Sequence, residues 1–217
     1  MGMTGFTLRD QQTAVRDQGD RPTCAVFAVT AGHEAKRGDV CDLSEESALW
    51  SANRISGGRP PHATVAHTLE GITVDGQAFE KDWPYGNPAH PASPPADAAR
   101  KTNRALPGPS RRLSDLRPPT VEHALRAGDA VILTLAFVRL AWLRGQADGF
   151  VDAGPGEPIA TGHAVLATGV GAWHTGATVI EFKNSWGRDW GDAGYGYLSE
   201  GYLTRYGRGA FALAAAA

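Results

Sequence analysis

Gln18-Gly19-Asp20-Arg21-Pro22-Thr23-Cys24-Ala25-Val26-Phe27-Ala28 places a cysteine at the start of a predicted helix. The run after Cys24 is mostly apolar, Pro22 and Thr23 suit the first turn and the cap, and Gly38 is a stop signal. A helix is therefore expected from about Cys24 to Arg37. A thiol at a helix N-terminus feels the positive end of the helix dipole, which stabilises the thiolate and lowers the pKa. Cys24 is a candidate nucleophile; the alternative is a small buried core residue.

The composition predicts a globular protein with a sizeable core. Hydrophobic residues make up 42% and charged residues 20% of the 217 residues, which suits one or two domains. The formal net charge is −2 and no long basic block occurs, so neither a nucleic-acid partner nor an acidic membrane is expected. No secretory leader and no membrane-length apolar run is found, which favours a cytoplasmic protein.

A disulfide between the two cysteines, Cys24 and Cys41, is not expected. The predicted helix that begins at Cys24 would be roughly 20 Å long at about 1.5 Å per residue, whereas the Cα atoms of a disulfide lie within about 7 Å of each other. Cys41 also lies between Asp39 and Asp42, whose negative charges raise a thiol pKa. Cys24 is therefore expected to be the more reactive thiol.

Helical patterns come first in the chain and strand patterns second. Helices are predicted over 24–37, 44–54, 63–69 (stopped by Gly71), 96–104 and 120–127, and strands over 130–138, 163–170, 178–183 and 194–198. The proline-rich stretch 84–119 is otherwise predicted as loop. This order indicates an α+β fold with a helical lobe and a sheet lobe, and a site between two such lobes would be a cleft.

Two residues of the strand half supply what a thiol nucleophile needs. His163 begins a predicted strand and could act as the base, and Asn184 ends the next strand, where its amide oxygen could orient the imidazole. Trp186 could cover that hydrogen bond. His62 and His67 are spaced i,i+5, which does not stack on one helical face, so no metal site is expected.

These segments resemble the papain-like cysteine peptidases, family C1. The resemblance rests on the order Cys, His, Asn and covers nearly the whole chain. The matching segments are Gln18-Gly19 with Cys24 and Phe27, Leu43-Ser44-Glu45-Glu46, Gly57-Gly58, Trp83-Pro84-Tyr85, Gly162-His163-Ala164-Val165, Asn184-Ser185-Trp186-Gly187 with Trp190-Gly191, and Gly194-Tyr195. Tyr202-Leu203 downstream favours the bacterial version of the family, without disulfides or propeptide.

The resemblance implies a papain-like two-lobed fold in a single domain over residues 1–217. The N-terminal helical lobe would span about 18–115, and a C-terminal antiparallel β-barrel-like lobe about 116–210 plus the lead-in, with the active site in the cleft between them. Cys24 and His163 would form a thiolate–imidazolium pair oriented by Asn184. Gln18 would complete an oxyanion hole with the backbone N–H of Cys24. The substrate-binding residues would be Gly57, Gly58, Arg59, Thr161, Gly162 and Trp186, and Arg59 would favour an acidic or polar side chain.

Three residues near Cys24 depart from the family pattern. Ala25 stands where Trp is usual and Pro22 where a Gly is usual, so the cleft wall is expected to change shape while the chemistry survives. Arg21 stands where secreted members often carry a half-cystine, which fits a reducing compartment.

The predicted function is a cysteine endopeptidase that hydrolyses peptide bonds through a thioester acyl-enzyme, without a cofactor or metal. The alternatives are a catalytically inactive peptide-binding module and a thiol transamidase or leader-processing enzyme. The expected partners are protein or peptide substrates and a protein inhibitor or regulator, with no nucleic acid and no membrane, and the chain is expected to be a monomer.

Overall fold

Helices dominate the first part of the chain and strands the second. The computed structural model describes residues 2–37, 42–57, 63–86, 95 and 108–214. The helices are α1 (Cys24–Arg37), α2 (Glu45–Ile55), α3 (Val65–Asp75), α4 (Pro118–Arg126), α5 (Arg139–Arg144) and α6 (Glu200–Tyr206), with a 3₁₀ turn at Arg9–Gln11. The strands are β1 (Thr4–Thr7), β2 (Ser110–Arg112), β3 (Ala130–Phe137), β4 (Phe150–Val151), β5 (Thr161–Ala172), β6 (Thr178–Lys183), β7 (Tyr195–Ser199) and β8 (Gly207–Leu213). The predicted α+β class is confirmed.

The first two helices begin where their caps predict. The Ser44 side chain accepts a hydrogen bond from the backbone N–H of Ser47 and so caps α2, whose first turn carries Glu45 and Glu46. At α1, Val26 and Phe27 donate to the carbonyl of Thr23. The Thr23 hydroxyl instead contacts the Tyr85 hydroxyl at 2.8 Å, so this side chain ties the helix start to a distant loop.

The third helix is longer than predicted. Gly71 lies inside α3, which runs on to Asp75 and ends at Gly76, where φ is +74°. A Cβ at Gly71 would lie 2.9 Å from the backbone of Ser51 and of Ala52, so this glycine lets α3 pack closely against α2. The predicted helix end at Gly71 was wrong. A glycine is needed there because α3 packs closely on α2, which is a tertiary effect, and not because the helix ends. The predicted helix at 96–104 lies outside the described residues.

One open sheet forms the second lobe. The strand order is β2-β8-β3-β5-β6-β7-β4, with β1 paired to β5 beside this path. All pairs are antiparallel except β4 with β7. The sheet is not closed, so the expected barrel-like lobe is an open sheet. β2, in the stretch predicted as loop, joins this sheet through β8, so the sheet lobe begins before residue 116.

Helix α1 packs between the other helices and the sheet. Its buried residues Val26 and Val29 share one apolar cluster with residues of α2 and α3 and with Ile132 and Leu166 of the sheet. Gly32 allows this approach, since a Cβ there would lie 3.3 Å from the Ile132 side chain. The N-terminus of α1 is thereby held over β5. Within the described ranges, no helix has the length and apolar character needed to cross a membrane.

Candidate active site

Cys24 lies at the first position of α1 and is partly buried. Its thiol receives stabilisation from the backbone N–H groups of Ala25 and of Ala164, the residue that follows His163 on β5. Cys24 and His163 both line one cleft of about 480 Å³ between the helices and the sheet. No hydrogen bond joins the two side chains in the part of the chain that the structure describes.

The imidazole of His163 is oriented by Asn184. The two side chains meet through Nε2 and Oδ1 at 3.0 Å, and both residues are buried. The same Oδ1 accepts a hydrogen bond from the backbone N–H of Ser185 at 2.9 Å, which identifies this atom as an acceptor. Nε2 must therefore carry a proton, and in a neutral ring Nδ1 is then an unprotonated acceptor.

Aromatic rings enclose this histidine. Trp186 stacks on the His163 ring with centroids 4.8 Å apart, and Trp142 meets it edge-on at the same distance. The Trp142 indole N–H donates to the hydroxyl of Tyr202 at 2.8 Å, so the tryptophan is itself fixed. The predicted cover by Trp186 agrees with this arrangement. The contact of Trp142 with His163 was not predicted, because a tryptophan in a short helix carries no sequence signal for such a position.

Gln18 is buried and held by two side-chain hydrogen bonds. Its Nε2 donates to the carbonyl of Arg21 at 2.7 Å, and its Oε1 accepts from the Ser185 hydroxyl at 2.7 Å. A carboxamide nitrogen has two protons, so one N–H of Gln18 is not used by these bonds. Ser185 thus contacts both Gln18 and Asn184, a role that sequence reasoning missed although the residue stands inside a quoted motif.

Burial shifts Cys24 and His163 toward their neutral forms. Burial raises the pKa of the Cys24 thiol, against the stabilising effect of nearby backbone N–H groups. Burial also lowers the pKa of His163 from 6.5 to about 4, against the opposite effect of the Asn184 hydrogen bond. The prediction that the helix start lowers the thiol pKa was therefore wrong for Cys24 taken alone, because desolvation outweighs the backbone dipoles.

The cleft contains several of the predicted residues. Thr161, Gly162 and Trp186 line it together with Gln18, Cys24 and His163. Two of the three departures from the family pattern, Pro22 and Ala25, also line it, so they shape the wall beside the thiol. Gly57 follows α2 with φ of +75° and is not among the described residues that line the cleft. Gly58 and Arg59 lie outside the described residues.

Further lining residues were not predicted. Thr134 and Leu135 of β3, Val65 of α3 and Arg208 of β8 line the cleft. The pairing of β3 with β5 and β8 brings Thr134, Leu135 and Arg208 to the cleft, whereas Val65 reaches it because α3 packs in one apolar cluster with α1 and α2. Local sequence patterns carry no such signal.

Arg21 anchors the segment ahead of Cys24. Its guanidinium contacts the Glu46 carboxylate through Nη1 at 2.6 Å and Nη2 at 3.0 Å, and Nη1 also donates to the carbonyl of Gly86. The guanidinium lies over the Tyr85 ring, 4.5 Å from the centroid. A buried ion pair therefore joins the segment ahead of Cys24 to α2 and to the loop at Tyr85.

A layer of charged side chains lies behind the site. Arg16 contacts Glu45 at 3.0 Å and Glu80 at 2.5 Å, and Lys183, next to Asn184, donates to Thr13 at 2.9 Å. These contacts attach the N-terminal lead-in to both lobes. No group of three or more His, Cys, Asp and Glu side chains is placed to hold a metal ion among the residues that the structure describes.

Comparison with known proteins identifies relatives of this chain in sequence and in fold. The family model described as "Papain family cysteine protease" matches residues 4–214. Cathepsin F of Mus musculus is 28% identical over 197 residues, which are 87% of this chain and 40% of the relative. The chain thus spans about two fifths of the length of that curated relative.

Solved structures share the fold. Xylellain, a cysteine protease from Xylella fastidiosa, superimposes with a TM-score of 0.82 at 17% identity, covering 93% of this chain and 82% of that one. The bromelain protease from Ananas comosus, in complex with the E64 inhibitor, gives 0.77 at 22% identity, covering 97% and 98%. At these identities the likeness concerns the fold, while the family model concerns the sequence. On that match, the chain belongs to the papain family of cysteine proteases.

Proposed function

We propose that this chain hydrolyses peptide bonds with Cys24 as nucleophile, His163 as acid and base, and Asn184 as the residue that orients the imidazole. The observation that carries the proposal is the hydrogen bond between His163 Nε2 and Asn184 Oδ1. It leaves Nδ1 as the acceptor on a ring that lines the same cleft as the thiol. The family membership supports the same chemistry.

In the first step, the Cys24 S–H proton moves to His163 Nδ1. Burial disfavours the thiolate and the imidazolium when each is alone, but the transfer creates both charges together, and each stabilises the other at close range. The thiolate sulfur then bonds to the carbonyl carbon of the substrate, and the π electrons of the carbonyl move to its oxygen.

The developing oxyanion needs hydrogen-bond donors. The backbone N–H of Cys24 at the start of α1 and the unused N–H of Gln18 are the donors that we assign to it. When the intermediate collapses, the C–N bond breaks and the leaving amine takes the proton from the imidazolium. The product is a thioester between the substrate acyl group and Cys24.

Water completes the cycle. His163 removes a proton from water, whose oxygen attacks the thioester carbonyl, and the C–S bond then breaks. The thiolate takes back a proton and the carboxylic acid product leaves.

Space on both sides of the reacting residues supports endopeptidase action. A second cavity of about 400 Å³ shares Phe137 and Trp186 with the catalytic cleft and extends to Trp142 and Trp190. A peptide that crosses Trp186 would therefore find binding surface on each side of the scissile bond. Bromelain and a Carica candamarcensis cysteine protease were solved with E-64, and we propose that the present cleft takes the same inhibitor and peptide substrates.

Cleavage of an internally quenched peptide library, read by mass spectrometry, tests the proposal. Wild type should cut, and Cys24→Ala should fall to background, whereas the matched control Cys41→Ala should cut like wild type. E-64 should add one equivalent to wild type and none to Cys24→Ala. Wild-type rates in Cys24→Ala would refute the assignment. Binding of peptides without any cleavage would instead identify a peptide-binding module.

A further inference from the structure

We propose that one end of the catalytic cleft selects substrates with a glutamate or aspartate side chain, and that Arg208 and Arg112 provide this selectivity. The inference rests on the proposed peptidase function. The end in question, here called the arginine end, is where Arg208 and Thr134 line the cleft, with Gly209 and Arg112 beside Thr134.

Arg208 brings a positive charge to the cleft. It lies on β8, which pairs with β3 so that Thr134 is opposite Gly209, and both Arg208 and Thr134 line the cleft. Among the described residues that line the cleft, three have ionisable side chains: Cys24, His163 and Arg208. Arg208 is the one of these three that is not a proposed reacting group. The other lining side chains are apolar or uncharged.

Arg112 brings a guanidinium to the backbone of β8 beside Thr134. It lies on β2, next to β8, and its Nη2 donates to the carbonyl of Arg208 at 3.3 Å. A Cβ at Gly209 would lie 3.2 Å from that Nη2 and 3.4 Å from the Thr134 hydroxyl. Because Gly209 has no side chain, the guanidinium and the hydroxyl both lie next to uncovered backbone. A carboxylate would find donors from two strands there.

Neither arginine is neutralised by the described part of the chain. Neighbouring Arg111 contacts Asp129 at 2.6 Å, whereas no described carboxylate forms an ion pair with Arg112 or Arg208. Two guanidinium groups without a counter-ion favour a bound anion and disfavour a lysine or arginine side chain. Within a peptide, the group that meets this requirement is the carboxylate of glutamate or aspartate.

The effect should be moderate and salt-dependent. An ion pair that is open to solvent contributes up to about fivefold in affinity, so the two arginines together should favour glutamate over glutamine by about tenfold. Raising the salt concentration from about 0.05 M to about 0.5 M should reduce this preference, because the cleft is accessible to ions.

The test uses quenched peptides in which glutamate, glutamine and lysine are scanned through four positions on each side of the scissile bond. At one position, wild type should have a kcat/KM about tenfold higher for glutamate than for glutamine, with lysine lowest. Arg208→Gln and Arg112→Gln should each reduce the ratio, and the double variant should bring it to about one while still cutting the glutamine peptide. Arg117→Gln removes the same charge from an exposed arginine that pairs with Asp115, and it should keep the wild-type ratio.

Binding separates this inference from the proposed function. Affinities of the same peptides for the Cys24→Ala protein, measured by fluorescence anisotropy, should show the same preference for glutamate and the same loss in the arginine variants. Cleavage without any preference for glutamate would overturn the inference and leave the peptidase function standing. Absence of cleavage would overturn the proposed function, and the binding series would still decide on the arginine end. Equal affinity for glutamate and glutamine peptides would overturn it there too.

Discussion

Ser185→Ala tests how Gln18, the proposed oxyanion donor, is held in place. The Ser185 hydroxyl donates to Gln18 Oε1 at 2.7 Å, and the opposite end of the carboxamide donates to the carbonyl of Arg21 at 2.7 Å. The backbone N–H of Gln18 also donates to the carbonyl of Ser185 at 2.9 Å, so the main chain stays anchored in the variant. We expect the substitution to leave Gln18 in place but to free its carboxamide to rotate away from the substrate oxygen.

Two quantities bound the size of the effect. Complete loss of one oxyanion donor costs about 100- to 1000-fold in kcat, which is the limit for Gln18→Ala. A buried neutral hydrogen bond contributes about 1 kcal/mol, so losing one of the two that hold the carboxamide should reduce its correctly oriented fraction by about fivefold to tenfold. We expect Ser185→Ala to lower kcat by about tenfold and stability by about 1–2 kcal/mol.

A double-mutant cycle measures whether the loss passes through Gln18. Wild type, Ser185→Ala, Gln18→Ala and the double variant are compared by kcat and by urea unfolding. With Gln18 already removed, Ser185→Ala should change kcat by less than about twofold. Ser51→Ala is the matched control, since Ser51 is buried and its hydroxyl has no partner among the described residues. A tenfold loss that persists without Gln18 would refute the reasoning.

Three further variants test the roles that we propose for Asn184, His163 and Cys24. Asn184→Ala should lower kcat by about 10- to 100-fold in steady-state assays, because His163 loses its 3.0 Å acceptor; an unchanged kcat would exclude the assigned role. In His163→Ala, iodoacetamide should modify Cys24 slowly at pH 7 and faster only above about pH 9, since burial raises the thiol pKa; rapid labelling at neutral pH would contradict the proposed pair. In Cys24→Ala, the unfolded chain protonates His163 near pH 6.5 whereas the folded chain does so near pH 4, so stability is full above pH 6.5 and falls as the pH drops. The free energy of unfolding, measured with urea, should fall by about 3 kcal/mol by pH 4. If the same fall occurs in Cys24→Ala/His163→Gln, other groups cause it.

The residues with the strongest local signals were predicted well. The cap at Ser44 and the apolar run after Cys24 depend on neighbours in sequence, and both helices start where these signals place them. The strand that ends at Lys183 was predicted with its observed bounds, because a β-branched and apolar run between glycines allows few alternatives. These elements position Cys24 and Asn184, so the sequence alone is enough to predict where much of the candidate site lies.

Strands β2 and β8 were not predicted, because their sequences lack such signals for physical reasons. β2 is Ser110-Arg111-Arg112 and is exposed throughout, so it joins the sheet through backbone hydrogen bonds and has no apolar alternation. β8 is rich in glycine and alanine, so its sequence resembles a low-complexity tail. Its pairing with β3 in the structure is what identifies it as a strand. Arg112 and Arg208 lie on these two strands. The features that we connect with selectivity are thus the ones that depend most on long-range pairing.

Arg21 shows how a departure from a family pattern gains meaning from its partners. In the sequence, Arg21 stands where a half-cystine is common in secreted family members, and no pattern identifies Glu46 as its ion-pair partner. In the structure, the two form a bidentate pair whose side chains are 10% and 1% exposed, and the loop carbonyl of Gly86 uses the same guanidinium. Removing one member leaves the other charge buried, so Arg21→Ala should cost about 3 kcal/mol and lower Tm, although the direct contacts of Cys24 are untouched. An ion pair does not depend on the redox potential of the medium, so reducing agents should leave the Tm of wild type unchanged. A drop in Tm under reducing agents, or an Arg21→Ala variant as stable as wild type, would refute this role.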